Sequence, residues 1–174
     1  MLDLALAIPR IVVGLILAGH GSQKLFGWFG GHRLAGTAGF FASTGVRWAK
    51  PLALLVGLAE LLGGLGLAFG LATPVAAAAV SVVMLGAVVL AHWPRLWVTN
   101  GGFEYPLVNL AVAAQFGLYG PGAYALDPWL GLSRYLPLPQ AYLAGLAVAV
   151  LIVLAVVATR KVASQGAQPA TSAA

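Results

Sequence analysis

The sequence has no cysteine and very few charged residues. Without cysteine, disulfides, CxxC redox motifs, thiolate metal sites and c-type haem attachment are excluded. Charged residues make up 7% of the 174 residues, whereas a soluble globular chain has about 25%. Hydrophobic residues make up 61%, and the mean hydropathy is +0.96. The composition therefore predicts an integral membrane protein, and the basic pI near 10.0 reports membrane topology rather than binding to nucleic acid.

Five apolar stretches are long enough to cross a bilayer as helices, which takes about 20 residues each. They are Leu4–Leu25, Pro51–Leu71, Pro74–Trp93, Glu104–Tyr119 and Gln140–Thr159. The pattern predicts an all-α membrane protein: a four-helix transmembrane bundle over residues 1–128, with an interfacial loop at 26–50, plus a fifth C-terminal transmembrane helix within 129–161. The fourth span is the weakest, and the small polar residues of 162–174 predict a disordered tail.

The basic residues predict the orientation of the chain. Most of them flank the loop after span one, the loop after span three, and the end of span five: Lys24, Arg33, Arg47, Lys50, Arg95, Arg160 and Lys161. The opposite side has Arg134 in its loops, while Arg10 lies inside span one and argues against a cleaved signal peptide. The positive-inside rule then places the N-terminus outside and the C-terminus in the cytoplasm.

Several polar side chains lie within or beside the spans, where a charged group costs about 2.5–3.5 kcal/mol at the bilayer centre. They are His20, Gln23, Lys24, Glu60, His92 and Glu104. Because consecutive spans are antiparallel, the four helices that carry them meet in the same half of the bilayer. Glu60 lies about 14 Å into span two and shares a helix face with Gly57 and Gly64, so it should point into the bundle.

Each of these residues also has a simpler explanation. Lys24 would reach the head groups, His92 would be an interfacial histidine, and Glu104 would favour the positive end of a helix. Glu60 would form a structural pair with Lys24. Trp28, like the other tryptophans near this membrane face, would belong to an interfacial aromatic belt.

Ordered motifs resemble the DoxX family of small bacterial membrane proteins. The matching segments are HGSQKLFGWFGG at 20–31, ELLGG at 60–64, the histidine at 92, GFEYP at 102–106, GPG at 120–122 and LD at 126–127. The resemblance implies a four-helix bundle in the bacterial inner membrane. Some relatives are the DoxD-type subunit of thiosulfate:quinone oxidoreductase, and others join oxidative-stress complexes with superoxide dismutase and a sulfurtransferase. The fifth span departs from this pattern.

The favoured function is an integral membrane subunit of a redox system that interacts with quinone. In this hypothesis Glu60, Glu104 and Lys24 are the catalytic candidates, as proton relay and anion stabiliser. His20, Gln23, Lys24, Trp28 and His92 are the candidate quinone pocket. Haem between His20 and His92 is disfavoured, and no metal site is predicted.

Two other functional classes stay open. The chain would be a non-catalytic anchor or assembly partner that docks a soluble oxidoreductase through its basic first loop. A transporter of small solutes or protons is less favoured, because there is no inverted repeat. The expected partners are the lipid bilayer, an oxidoreductase subunit and further copies of this chain, with no nucleic acid.

Overall fold

The computed structural model describes residues 2–160, and this part of the chain is helical throughout, with short connections. The helices are α1 (Leu2–Phe26), α2 (Arg33–Ser43), α3 (Ala49–Phe69), α4 (Thr73–Ala87), α5 (Glu104–Tyr119), α6 (Leu126–Trp129) and α7 (Gln140–Ala158). A π-helical turn, Val88–His92, continues α4. The tail predicted to be disordered, 162–174, lies outside the described residues.

Four helices of the described part are long and apolar enough to cross a membrane. They are α1, α3, the continuous helix Thr73–His92 and α7. Helix α5 has 16 residues, which is about 24 Å and shorter than the hydrocarbon core of about 30 Å. The predicted class, an all-α multi-pass membrane protein, is confirmed. Helix α5 corresponds to the fourth predicted span, which the sequence indicated to be the weakest.

Helices α1 and α3 pack backbone against backbone through glycines. A Cβ placed on Gly14 would lie 2.5 Å from the amide nitrogen of Ala68, and one on Gly64 would lie 2.5 Å from that of Ala18. Small residues permit this approach in membranes, where dispersion and close packing rather than hydrophobic burial hold helices together. The close contact brings the last turns of α1 beside the first half of α3.

Helix α4 lies at the centre of the bundle and contacts α3, α5 and α7. Its contact with α7 includes Tyr142, which is 2% exposed. The Tyr142 hydroxyl lies 3.1 Å from the Ser81 hydroxyl, and its ring packs against Gly117 of α5. A buried aromatic ring with a satisfied hydroxyl therefore attaches the fifth predicted span to the bundle.

The bundle has two ends. We call the end with residues 27–48 and 93–103 the loop face, and the end with residues 70–72 and 120–139 the N-terminal face. Arg160 donates to the Thr44 carbonyl at 2.9 Å, which places the end of α7 at the loop face. Asp3 accepts from the Ala123 amide at 3.1 Å at the N-terminal face. The two ends of the described chain thus lie at opposite faces, as the topology requires; which face is cytoplasmic stays a prediction.

Candidate functional site

A buried ion pair joins α1 to α3 near the loop face. Lys24, in the last turn of α1, donates through Nζ to Oε2 of Glu60, in the middle of α3. The Glu60 side chain is 5% exposed and that of Lys24 is 29% exposed. Gly57 and Gly64 are buried on the same face of α3, which confirms that Glu60 points into the bundle. The expected polar partner from another helix is present.

His20 belongs to a short chain of hydrogen bonds on α1. Its Nδ1 lies 2.9 Å from Oε1 of Gln23, and the Gln23 amide nitrogen donates to the Phe29 carbonyl at 3.2 Å. Because a carbonyl only accepts, the Phe29 contact directs the amide nitrogen outward and leaves Oε1 facing the ring. Nδ1 must then carry the proton, so neutral His20 presents a lone pair at Nε2.

Tyr105 completes the cluster, and the sequence interpretation did not single it out. Its ring centroid lies 5.6 Å from that of His20, tilted by 59°. It is 40% exposed. Buried Asn109 donates to its backbone carbonyl at 3.0 Å. Asn109, a polar residue one turn after Tyr105 in an apolar helix, was the sequence feature that could have indicated this face, since positions four apart share a face.

We call His20, Gln23, Lys24, Glu60 and Tyr105 the α1–α3–α5 cluster. Glu60 is its buried end, while Tyr105 and Lys24 form its partly exposed end. The cluster therefore combines a carboxylate shielded from solvent with a cation, an imidazole and a phenol that a ligand in the membrane interface can contact. This combination suits proton transfer coupled to the binding of a polar ring.

Within residues 2–160, His92 and Trp28 form no hydrogen bond or ring contact with this cluster. His92 ends the π-helical turn, and its Nδ1 lies 2.8 Å from the Gly101 carbonyl, so it fastens the 93–103 loop. Trp28 is 59% exposed and contacts Phe26 with ring centroids 5.1 Å apart. Both residues lie at the loop face, where His92 contacts the 93–103 loop and Trp28 contacts the end of α1.

Within the described residues, no hydrogen bond or ion pair joins the Glu104 side chain to the cluster. Glu104 shares its helix face with Val108, Ala111 and Gln115, and all three are exposed. The neighbouring residue, Tyr105, takes the position expected for Glu104, because one step along a helix rotates the side chain by about 100°. Among residues 2–160 no three histidine or carboxylate groups are arranged to hold a metal ion.

A second polar cluster lies at the N-terminal face and surrounds Arg10, which is 1% exposed. Its Nη1 donates to the carbonyls of Leu67 and Ala68 at 2.8 and 2.7 Å, and its Nη2 donates to the Tyr124 carbonyl. These bonds satisfy carbonyls at the C-terminal end of α3, where cations are favourable. The sequence feature that could have indicated this cluster is the lone arginine within an apolar span. The sequence analysis used Arg10 only as an argument against a cleaved signal peptide.

Asp127 forms the other half of this second cluster. Its two oxygens accept from the amides of Ala72 and Thr73 at 2.6 and 2.8 Å, which caps the start of α4. Its own amide donates to the Gly70 carbonyl at 2.8 Å. Asp127 is 4% exposed. Together with Arg10 it fixes the α3–α4 turn from both sides.

These features define a multi-pass helical membrane protein with a buried ion pair between its first and third helices. The family model DoxX matches residues 5–93, a range that contains most of α1, all of α2 to α4 and both residues of the ion pair. The chain belongs to the DoxX family.

One curated relative is similar over most of both chains. It is the Bacillus subtilis (strain 168) protein named "Putative oxidoreductase CatD", which is 28% identical over 128 residues, covering 74% of this chain and 88% of the relative. No solved structure matches this chain.

Proposed function

We propose that this chain is an integral membrane subunit of a redox system, placed in the bacterial inner membrane with its loop face in the cytoplasm. The observation that carries the proposal is the Lys24–Glu60 ion pair with His20 and Tyr105 beside it. An ionisable pair within a membrane span is costly and marks a functional site by default. The family and the printed name of the Bacillus subtilis relative favour redox chemistry over the other classes.

The proposed ligand is the head group of a membrane quinone. Reduction of a quinone takes up two electrons and two protons and forms a quinol. The electrons would come from an oxidoreductase partner, and the protons would reach the ring oxygens through Glu60 and His20. Lys24 uses one of its three N–H donors on Glu60, so two remain for a ligand carbonyl or a developing oxyanion.

The hydrogen bonds of His20 affect which form of the ligand it recognises. Since neutral His20 presents a lone pair at Nε2, it accepts from the hydroxyl of a quinol, and it donates to a quinone carbonyl only as imidazolium. The imidazole is then the group that takes or returns a proton as the ring changes redox state. Gln23 would hold the imidazole in this orientation.

Binding of a short-chain ubiquinone analogue and of a menaquinone analogue to the purified protein in micelles tests the proposal. His20→Ala and Glu60→Gln should each lower the quinone bound per folded molecule by about tenfold, the value of one hydrogen bond to a charged or titrating group. His92→Ala is the matched control, because that imidazole lies at the same face outside the cluster. Wild-type protein that binds neither analogue, or equal losses in His20→Ala and His92→Ala, would contradict it.

A non-catalytic anchor is the second candidate, and the closed geometry of the ion pair favours it. Lys24 and Glu60 satisfy each other across two helices that already pack closely, as a purely structural pair would. Replacing both partners with apolar residues of similar volume is often neutral for stability. The double variant Lys24→Met/Glu60→Leu should therefore stay folded, keeping its partner if the chain is an anchor and losing quinone binding if it is a redox subunit.

A further inference from the structure

A groove at the loop face has no role in the proposed redox site. Helix α2 packs across α3 and α1, and between α2 and the start of α3 lies an open groove of about 630 Å³. This volume is within the range of about 300–1,000 Å³ that ligand sites occupy. Its walls are small residues of α2 on one side and the segment Arg47–Pro51 on the other.

The α2 wall of the groove is apolar and smooth. It consists of Ala35, Ala38, Gly39 and Ala42, whose spacing puts them on one face of the helix. A Cβ built on Gly39 would meet no atom within 4 Å, so the space above this glycine is open. A slot with one apolar wall that runs along a helix suits a hydrocarbon chain.

The other wall carries two cations and an aromatic ring. Arg47 and Lys50 line the groove and are exposed, and Trp48 between them is 71% exposed. The chain has four acidic side chains, all within the described residues, and none forms a salt bridge with either cation. The groove therefore has two positive charges that the described chain leaves uncompensated.

We propose that this groove binds an anionic phospholipid, with the phosphate between Arg47 and Lys50 and one acyl chain along the α2 wall. Tryptophan at the mouth of the groove matches the preference of this ring for the head-group region. In the predicted orientation the groove opens to the cytoplasmic leaflet, where anionic lipids attract basic residues. The inference is independent of the quinone site, because it rests on α2 and the start of α3.

Lipid binding by the full-length purified protein, measured by native mass spectrometry and by thermal stabilisation in neutral detergent, tests the proposal. Phosphatidylglycerol is the probe and phosphatidylcholine is the neutral comparison. Arg47→Gln/Lys50→Gln should weaken phosphatidylglycerol binding by about tenfold to thirtyfold, given the usual contribution of each basic residue near an anionic surface. The matched control Arg33→Gln/Arg95→Gln removes the same charge from the same face outside the groove and should change binding by less than about twofold.

A second pair of variants tests the acyl slot. Gly39→Leu fills the groove, whereas Gly86→Leu adds the same side chain to α4, where a Cβ likewise meets nothing within 4 Å. We expect loss of phosphatidylglycerol binding in Gly39→Leu alone, with both variants monodisperse by size exclusion.

Four outcomes would overturn the proposal. They are equal binding of phosphatidylcholine, equal loss in the two double variants, full binding by Gly39→Leu, and displacement of the lipid by millimolar inorganic phosphate. The last outcome would identify a site for free anions instead.

Discussion

The two members of the Lys24–Glu60 pair differ in burial. Removing Lys24 and removing Glu60 should therefore lower the free energy of unfolding by different amounts. In Lys24→Met the Glu60 carboxylate loses its partner while its side chain stays 95% buried, since only 5% of it is exposed. Removing one partner of a buried ion pair leaves the other charge uncompensated, and this uncompensated charge is the source of the penalty. Because the Lys24 side chain is 29% exposed, we expect a loss of about 2–3 kcal/mol, below the 3–5 of fully buried pairs.

Glu60→Gln should cost less, about 1 kcal/mol or below. Lys24 lies in the last turn of α1, and its long side chain can turn to the head groups once the carboxylate is gone. The double variant Lys24→Met/Glu60→Gln should then be more stable than Lys24→Met alone, because no unpaired charge remains.

Unfolding by SDS in mixed micelles, followed by far-UV circular dichroism, measures these differences. Lys50→Met is the control, since it removes an exposed lysine that has no carboxylate partner, and it should change stability by less than about 0.5 kcal/mol. If Glu60→Gln costs as much as Lys24→Met, or if the double variant shows the sum of the single losses, the electrostatic reasoning is wrong.

Three further predictions concern the packing of α1 on α3, the Arg10–Asp127 cluster and the membrane topology. Gly64→Ala should prevent the close approach of α1 and α3 and cost more than about 2 kcal/mol, whereas Gly86→Ala should be neutral or stabilise by about 0.5–1 kcal/mol, compared by the fraction folded in SDS. Asp127→Ala should lower the free energy of unfolding by about 1–3 kcal/mol through two lost amide acceptors, and Arg10→Met by at least as much; a change below about 0.5 kcal/mol in either would refute the clamp on the α3–α4 turn. Reporter fusions should be active in the cytoplasm at the C-terminus and in the periplasm within residues 120–122, and the reverse result would overturn the charge argument.

Composition and order along the chain were enough to predict the membrane class and the antiparallel arrangement. Hydropathy measures transfer into lipid, which is a property of a segment alone, so the spans could be read without any knowledge of packing. Gly57 and Gly64, three positions before and four positions after Glu60, also predicted which side of α3 faces the bundle, because helical spacing is fixed. Lys24 was named as a partner of Glu60 because an unpaired carboxylate in a low dielectric is costly.

Only the tertiary structure decided which side of α5 faces inward. In a membrane helix the lipid-facing side is as apolar as the buried side, so the pattern of hydrophobic residues does not separate them. The sequence therefore favoured Glu104, and the fold placed Tyr105 beside His20 instead. The orientation of the His20 ring likewise depends on a carbonyl of the following loop.

The second polar cluster, around Arg10 and Asp127, also could not be predicted from the sequence, because its members are far apart in the chain. The acceptors of Arg10, and Asp127 itself, come from the α3–α4 turn and from the segment that follows α5. An arginine within an apolar span needs partners, since an uncompensated charge in lipid is costly. The sequence did not show which backbone carbonyls would supply them, because every residue carries the same carbonyl and only the fold brings particular ones within reach.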